Sequence, residues 1–244
     1  MTGASRGIGR AIAERLAADG ALVAVHYARN VEAAAEVVGS IRAAGGEAFP
    51  LRTELGAPGD TETLYTAFDA ELVRRGIGPR LDILVNNAAV SGSARIQEVT
   101  AELIDRIFSV NVKALLLLTQ EGLTRMPTGG RVVNVSSATT RVSYPESVVY
   151  SMSKGAINTL TLALAKELGP RDITVNAVSP GFTATDMNAK LRTSPEGSAR
   201  LAGMSVFGRI GRPADIADAV AFLTSPDSRW VTGQLLDASG GTHL

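Results

Sequence analysis

The sequence contains no cysteine. That excludes disulfides, thiolate nucleophiles and cysteine-held metals together. Histidine is nearly absent: His26 and His243 are the only two, far apart along the chain, so a histidine-rich metal site is not expected. Neither sign of charge is in excess, with 24 basic residues against 24 acidic. Nucleic acid and anionic membrane surfaces select basic proteins, so neither is an expected partner. Long apolar runs are also missing. The longest, at residues 115–118, is far too short to span a bilayer. No basic segment followed by an apolar one opens the chain, so no signal peptide is visible and a soluble cytoplasmic protein is the default expectation.

What is present is material for a core. Of the 244 residues, 45% are apolar, and no repeat, low-complexity tract or linker divides them, so a single domain over 1–244 is expected. Short apolar runs alternate with helical ones. Strands are predicted at 21–27, 48–51, 81–85, 131–136, 173–178 and 234–237. Helices are predicted at 10–18, 31–44, 60–74 (with Asp60 as N-cap), 101–125 as one or two pieces, 148–168 and 213–223. Such alternation implies an α/β protein with a doubly wound (Rossmann) parallel sheet covered on both faces, and a ligand at the carboxyl ends of the strands.

Thr2-Gly3-Ala4-Ser5-Arg6-Gly7-Ile8-Gly9 opens the first predicted helix. Glycines let the backbone turn tightly and approach a ligand, and the free N–H groups at a helix start face an anion. The spacing is a variant of the dinucleotide fingerprint; a plain helix-entry turn is the bland alternative. The second half of such a unit should read the adenosine ribose. An acid there would favour NAD, but the segment is His26-Tyr27-Ala28-Arg29-Asn30, with Glu32 close by. Arg6 and Arg29 either meet a 2′-phosphate, which suits their fork of donors, or are solvated surface arginines.

Tyr150 and Lys154 are four residues apart, on one face of a helix. A phenol is a poor base near neutrality, and a nearby ammonium makes it a better proton donor and acceptor at a carbonyl oxygen. Most pairs at this spacing are ordinary helix surface. Here Ser136-Ser137 ends the preceding strand, where a hydroxyl could hold a substrate oxygen. Asn86-Asn87-Ala88-Ala89 ends another strand, as a turn or as a loop pressed on a flat cofactor. Asn111 lies in an apolar helical stretch and marks a kink or a bound water, or else faces solvent. Pro180-Gly181, with Thr183 and Thr185, forms a hydroxyl-bearing turn at a strand end.

With these residues in place, the sequence resembles the short-chain dehydrogenase/reductase family over essentially its whole length. The family's TGxxxGxG is Thr2–Gly9, its catalytic tetrad falls on Asn111, Ser137, Tyr150 and Lys154, its PG turn is Pro180-Gly181, and its closing segment runs from Val231 to Gly241. It looks most like the bacterial 3-oxoacyl-[acyl-carrier-protein] reductase group. The resemblance implies a sheet of order 3-2-1-4-5-6-7. It implies that Tyr150 protonates the substrate oxygen as hydride arrives, that Lys154 bonds the nicotinamide ribose and lowers the Tyr150 pKa, that Ser137 orients the carbonyl, and that Asn111 holds a water linking Lys154 to solvent. It implies cofactor contacts at Gly3, Ser5, Arg6, Gly7, Ile8, Gly9, Tyr27, Arg29, Asn30, Glu54, Leu55, Asn87, Ala88, Ala89, Tyr150, Lys154, Pro180, Gly181, Thr183 and Thr185.

The expected activity is NADP(H)-dependent reduction of a 3-oxoacyl thioester or another ketone, with NAD(H) left open. A sugar, steroid or small-alcohol dehydrogenase, or a silent nucleotide-sensing module, are the rivals. A homotetramer is implied, with a substrate lid at about 186–207 and further substrate contacts at 139–146. Two departures stand out: Ala89 replaces a glycine, and Glu54 stands where an aspartate is usual. A third lies at the start. The family has a strand directly before TGxxxGxG, where only Met1 precedes Thr2 here. The expectation is a sequence lacking strand 1, with a start site placed too late on a GTG codon and about five to fifteen residues upstream; a truncated product that folds poorly is the alternative.

Overall fold

The computed structural model describes residues 1–244. Its strands are β1 (Leu22–Tyr27), β2 (Glu47–Arg52), β3 (Ile83–Asn86), β4 (Arg131–Val135), β5 (Thr174–Pro180) and β6 (Leu235–Ala238). The principal helices are α1 (Gly7–Ala18), α2 (Val31–Ala43), α3 (Asp60–Arg74), α4 (Ala101–Phe108), α5 (Leu115–Gly122), α6 (Val148–Leu168), α7 (Pro195–Ala202) and α8 (Pro213–Thr224). All strand pairs are parallel. β1 pairs with β2, and β3, β4, β5 and β6 pair in that order.

Alternation along the strands sorts the core into two faces, because successive side chains point to opposite sides of a sheet. Val23 and Val25 of β1 join Val133 and Val135 of β4 under α1, α2 and α8. Ala24 of β1 joins Leu64 and Phe68 of α3 and Leu118 of α5 on the other face. Val132 and Val175 pack there with Leu164 and Leu168 of α6. The doubly wound α/β expectation holds.

Between β1 and β3 lies the place of the expected strand 1. The segment Met1 to Ala4 sits in it and bonds to both sides. Thr2 N–H donates to Val85 O at 3.0 Å, His26 N–H to Met1 O at 3.1 Å, and Ala4 N–H to His26 O at 2.8 Å. The glycine-rich loop is therefore anchored to both neighbouring strands.

Three local expectations change. Gly59, not Asp60, occupies the N-cap position of α3, at φ +75°; Asp60 still accepts from the Gly56 and Thr61 N–H groups at 2.7 and 2.6 Å. The stretch at 101–125 is broken by a π-helical turn, Ser109–Ala114. The segment expected as a lid contains the short helix α7, whose Leu201 is buried while Val206 and Phe207 beyond it are exposed.

Candidate active site

The carboxyl ends of the strands gather the expected residues. Thr2 organises one side. Its hydroxyl accepts from the Asn87 and Ala88 N–H groups at 2.9 and 3.0 Å, and the Asn87 amide donates to the Thr2 and Gly3 carbonyls, both at 3.0 Å. The Asn87-Ala88 turn and the glycine-rich loop are thus one unit. Ala89 is not among the residues of positive φ, so its β-carbon is accommodated.

The glycines leave no room for side chains. A β-carbon on Gly9 would lie 2.0 Å from Gly3 O, and one on Gly3 2.9 Å from Ala88 Cα. One on Gly7 would lie 3.2 Å from Thr185 Cγ2, which places Thr185 beside the loop. The N-cap of α1, Arg6, makes no side-chain capping bond, and the first turn carries no acid. No protein acceptor meets the N–H groups of Gly7, Ile8 or Gly9. A close backbone cradle with unpaired donors at a helix start fits a dinucleotide pyrophosphate.

The adenosine side is more constrained than expected. Arg29 is exposed but pairs with Glu54, and Arg6 lies 4.0 Å from Asp186. The Asn30 side chain caps α2, accepting from Ala33 N–H at 2.9 Å. Tyr27 is built into the same core cluster as Ile12 and Val37. The two guanidiniums stay accessible, whereas the Asn30 and Tyr27 side chains are committed to the fold. Leu55 follows Glu54 in the turn after β2.

The four residues expected to be catalytic come from three places in the chain. Ser137 lies just past β4, and its Oγ accepts from Thr139 N–H at 3.2 Å. Tyr150 and Lys154 lie on α6, with Lys154 Nζ 5.7 Å from the Tyr150 ring centre. The Lys154 ammonium is 2% exposed and donates to Val135 O at 2.7 Å. Asn111 lies in the π-helical turn and is 1% exposed, which disposes of the solvent-facing reading. Its amide exchanges hydrogen bonds with the Val90 N–H and C=O, both at 2.9 Å, and donates to Ser153 Oγ at 3.1 Å. Ser153 in turn donates to Tyr150 O at 2.7 Å.

Burial sets the electrostatics of the pair. Burial pushes the Tyr150 phenol up to about 12, with the nearby Ser137 hydroxyl acting weakly the other way. Burial brings the Lys154 ammonium down to about 8. Lys154 is not a cause of any lowering at Tyr150 here, because its head group is turned to Val135 O and desolvation dominates both groups.

Some supporting contacts escaped the sequence reading, although Tyr144 and Met204 lie within the segments it assigned to substrate. Thr2 and Ser153 act through hydrogen bonds to residues distant in sequence. Tyr144 and Phe182 form an edge-to-face pair, ring centres 5.8 Å apart, at the Ser137 loop and the Pro180-Gly181 turn. Tyr144 Oη lies 3.8 Å from Met204 Sδ, just past α7. The aromatic residues of those two loops were the available signal. Pro180, Gly181 and Thr183 sit where predicted; Thr183 is 4% exposed, with its hydroxyl on Gly181 O at 3.2 Å.

A doubly wound sheet, a glycine cradle and a half-buried tyrosine beside a buried lysine and a serine define a dinucleotide-dependent oxidoreductase. The chain belongs to the short-chain dehydrogenase/reductase family. A family model described as enoyl-(acyl carrier protein) reductase matches residues 3–243. An uncharacterized oxidoreductase of Methylorubrum extorquens is 46% identical, over 100% of this chain and 96% of its own length. Versicolorin reductase 1 of Aspergillus parasiticus is 39% identical, over 99% of this chain and 94% of its own. Among solved structures, the angucycline C-6 ketoreductase LanV with bound NADP is 52% identical, covers 99% of this chain and 93% of its own, and has a TM-score of 0.95. NADP(H) is thus used within the family. No helix of the chain is long and apolar enough to cross a membrane.

Proposed function

We propose that this protein is an NADPH-dependent ketoreductase that reduces a ketone on a flat, polycyclic aromatic substrate to the alcohol. The observation that carries the chemistry is the convergence of Ser137, Tyr150 and Lys154 past the β4 end, alongside a cradle of unpaired N–H groups. When bound, the nicotinamide supplies the hydride. Tyr150 gives its phenolic proton to the carbonyl oxygen, and Ser137, beside it, orients that oxygen. Lys154 turns from Val135 O to the ribose hydroxyls and the phenol, where its charge favours the phenolate left behind. Asn111, held by Val90 and Ser153, fixes the backbone of the neighbouring loop and accommodates a water on the proton path.

The substrate class rests on likeness. LanV has also been solved with rabelomycin, at 50% identity. LugOII, described as catalysing keto-reduction at C1 during lugdunomycin biosynthesis, is 51% identical with a TM-score of 0.96. The Tyr144–Phe182 pair and Met204 give aromatic and thioether surface suited to a planar ring system. The family model's description favours the second reading, an acyl-thioester substrate. NADPH oxidation across polycyclic ketones and quinones, 3-oxoacyl thioesters, simple ketones and aldehydes separates the two. Highest kcat/KM on the polycyclic ketones supports the proposal, and highest kcat/KM on the thioesters overturns it.

NADPH rather than NADH is the proposed partner, because no acid ends β1 and Arg6 and Arg29 are exposed. Cofactor titration should give tighter binding of NADPH, with Arg6→Ala narrowing the gap. The proposed assembly is a homotetramer. Leu116, Met152 and Leu162 are exposed on α5 and α6, and Trp230 and Leu235 around β6; two separate apolar patches suit a closed assembly with two kinds of interface.

A further inference from the structure

His26 has no part in the chemistry above, yet it is 3% exposed and fully bonded. It lies near the end of β1. Its Nε2 is 2.9 Å from Thr53 O, just past β2. A carbonyl oxygen only accepts, so Nε2 carries the proton. Nδ1 is then a lone pair, and it accepts from the Gly3 N–H at 3.0 Å. The neutral ring therefore has a fixed tautomer, donating to one strand end and accepting from the loop. The backbone of the same residue adds bonds to Met1 O and from Ala4 N–H on either side of that contact.

Gly3 is the sensitive point of the loop. It holds φ +62°, and its α-carbon is pressed toward Ala88. The peptide that carries the Gly3 N–H sets the direction in which the following residues leave, and with it the aim of the free N–H groups at Gly7 to Gly9. We propose that His26 is a positioning residue for the dinucleotide site, its unprotonated Nδ1 setting the Gly3 peptide so that the loop and the first turn of α1 present their N–H groups to the pyrophosphate. This rests on the cofactor reading above. Without the Nδ1 acceptor, the Gly3 N–H turns toward water, and the loop must be re-ordered each time a dinucleotide binds. That ordering cost falls on affinity.

Two substitutions divide the ring's functions. In His26→Asn the amide oxygen takes the place of Nδ1 and keeps an acceptor for Gly3, while the bond to Thr53 is lost. In His26→Gln the amide nitrogen reaches the Nε2 position and keeps the bond to Thr53, while the acceptor for Gly3 is lost. The Kd of NADP⁺ is measured by calorimetry on wild type and both variants, with thermal unfolding alongside. The expected result is a rise on the order of ten-fold for His26→Gln and less than about three-fold for His26→Asn. A purely structural role predicts that affinity follows Tm, and equal losses in both variants, or no loss in either, overturn the inference. A folded wild type that does not bind NADP⁺ overturns the cofactor reading itself. Should either variant fail to fold, ¹⁵N spectra of the wild-type imidazole decide: a proton on Nε2 and none on Nδ1 at neutral pH is expected, and a proton on Nδ1 refutes the proposal.

Discussion

Tyr150 and His26 are both buried titratable groups, and burial moves each toward its neutral form. For Tyr150 this means that the proton is present at neutral pH, as a general acid requires. Removing it in Tyr150→Phe keeps the ring and should lower turnover by about 10²–10⁴-fold, while calorimetry shows NADPH still bound. Near-wild-type turnover would exclude the mechanism. For His26, burial brings the imidazole down to about 4 from the ordinary value of about 6.5. The unfolded chain takes up the proton first on acidification. The stabilisation is therefore complete above about pH 6.5, is lost as pH falls toward about 4, and changes no further below; it amounts to roughly 3 kcal/mol. Denaturant unfolding from pH 7 to pH 4 should show this loss in wild type and not in His26→Asn, after carboxylate effects common to both are subtracted. The grouping of Ser137, Tyr150 and Lys154 was legible because they lie close in sequence, and the family resemblance added Asn111. The orientation of Lys154 toward Val135 O was not, since it depends on how α6 lies on β4.

The elements divide between those that periodicity reveals and those that it hides. The glycine-rich turn into α1 was legible from its glycines together with the helix and β-run that follow them. Its stringency is a matter of packing: Gly9→Ala would drive a β-carbon to 2.0 Å from Gly3 O. The loop must then move, so Gly9→Ala should lose NADPH binding at least ten-fold by fluorescence titration, even where circular dichroism shows the fold kept. Unchanged affinity would mean that the loop is more pliant than its contacts imply. The π-helical turn at Asn111 was hidden, because a single wide turn leaves the apolar pattern on both flanks intact. The mid-helix asparagine was the only sign. Helix α7 was visible only as one of two readings, an apolar lid or the core of a short helix pair, since its sequence, rich in Ser, Gly, Ala and Arg, buries only Leu201.

At the scale of the molecule, the doubly wound parallel sheet followed from alternation and right-handed crossover, and the strand order from the family resemblance. What alternation does not convey is how the glycine-rich loop is held. The bonds from Thr2, Gly3 and Ala4 to β1, β3 and the Asn87-Ala88 turn join residues more than twenty positions apart. The exposed apolar patches are a whole-molecule property as well. Light scattering at micromolar concentration should give four times the chain mass, and Leu162→Asp should reduce the particle to half that or less. A monomeric wild type would remove the tetramer.

The π-helical turn between α4 and α5 has a consequence for insertions and deletions. A wide turn of this kind is one residue longer than the α-helical turn it replaces, with the flanking helices in register on either side. Removing Val110 would let the segment close into ordinary α-helix with α4 and α5 still seated. Leu115 and Leu118 would stay in the core, while Asn111 would swing away from Val90 and Ser153. Deletion of Val110 should therefore give a folded protein, within a few degrees of the wild-type Tm, that turns over poorly. In this stretch the length of the helix, more than the identity of most of its residues, separates a folded chain from an active one.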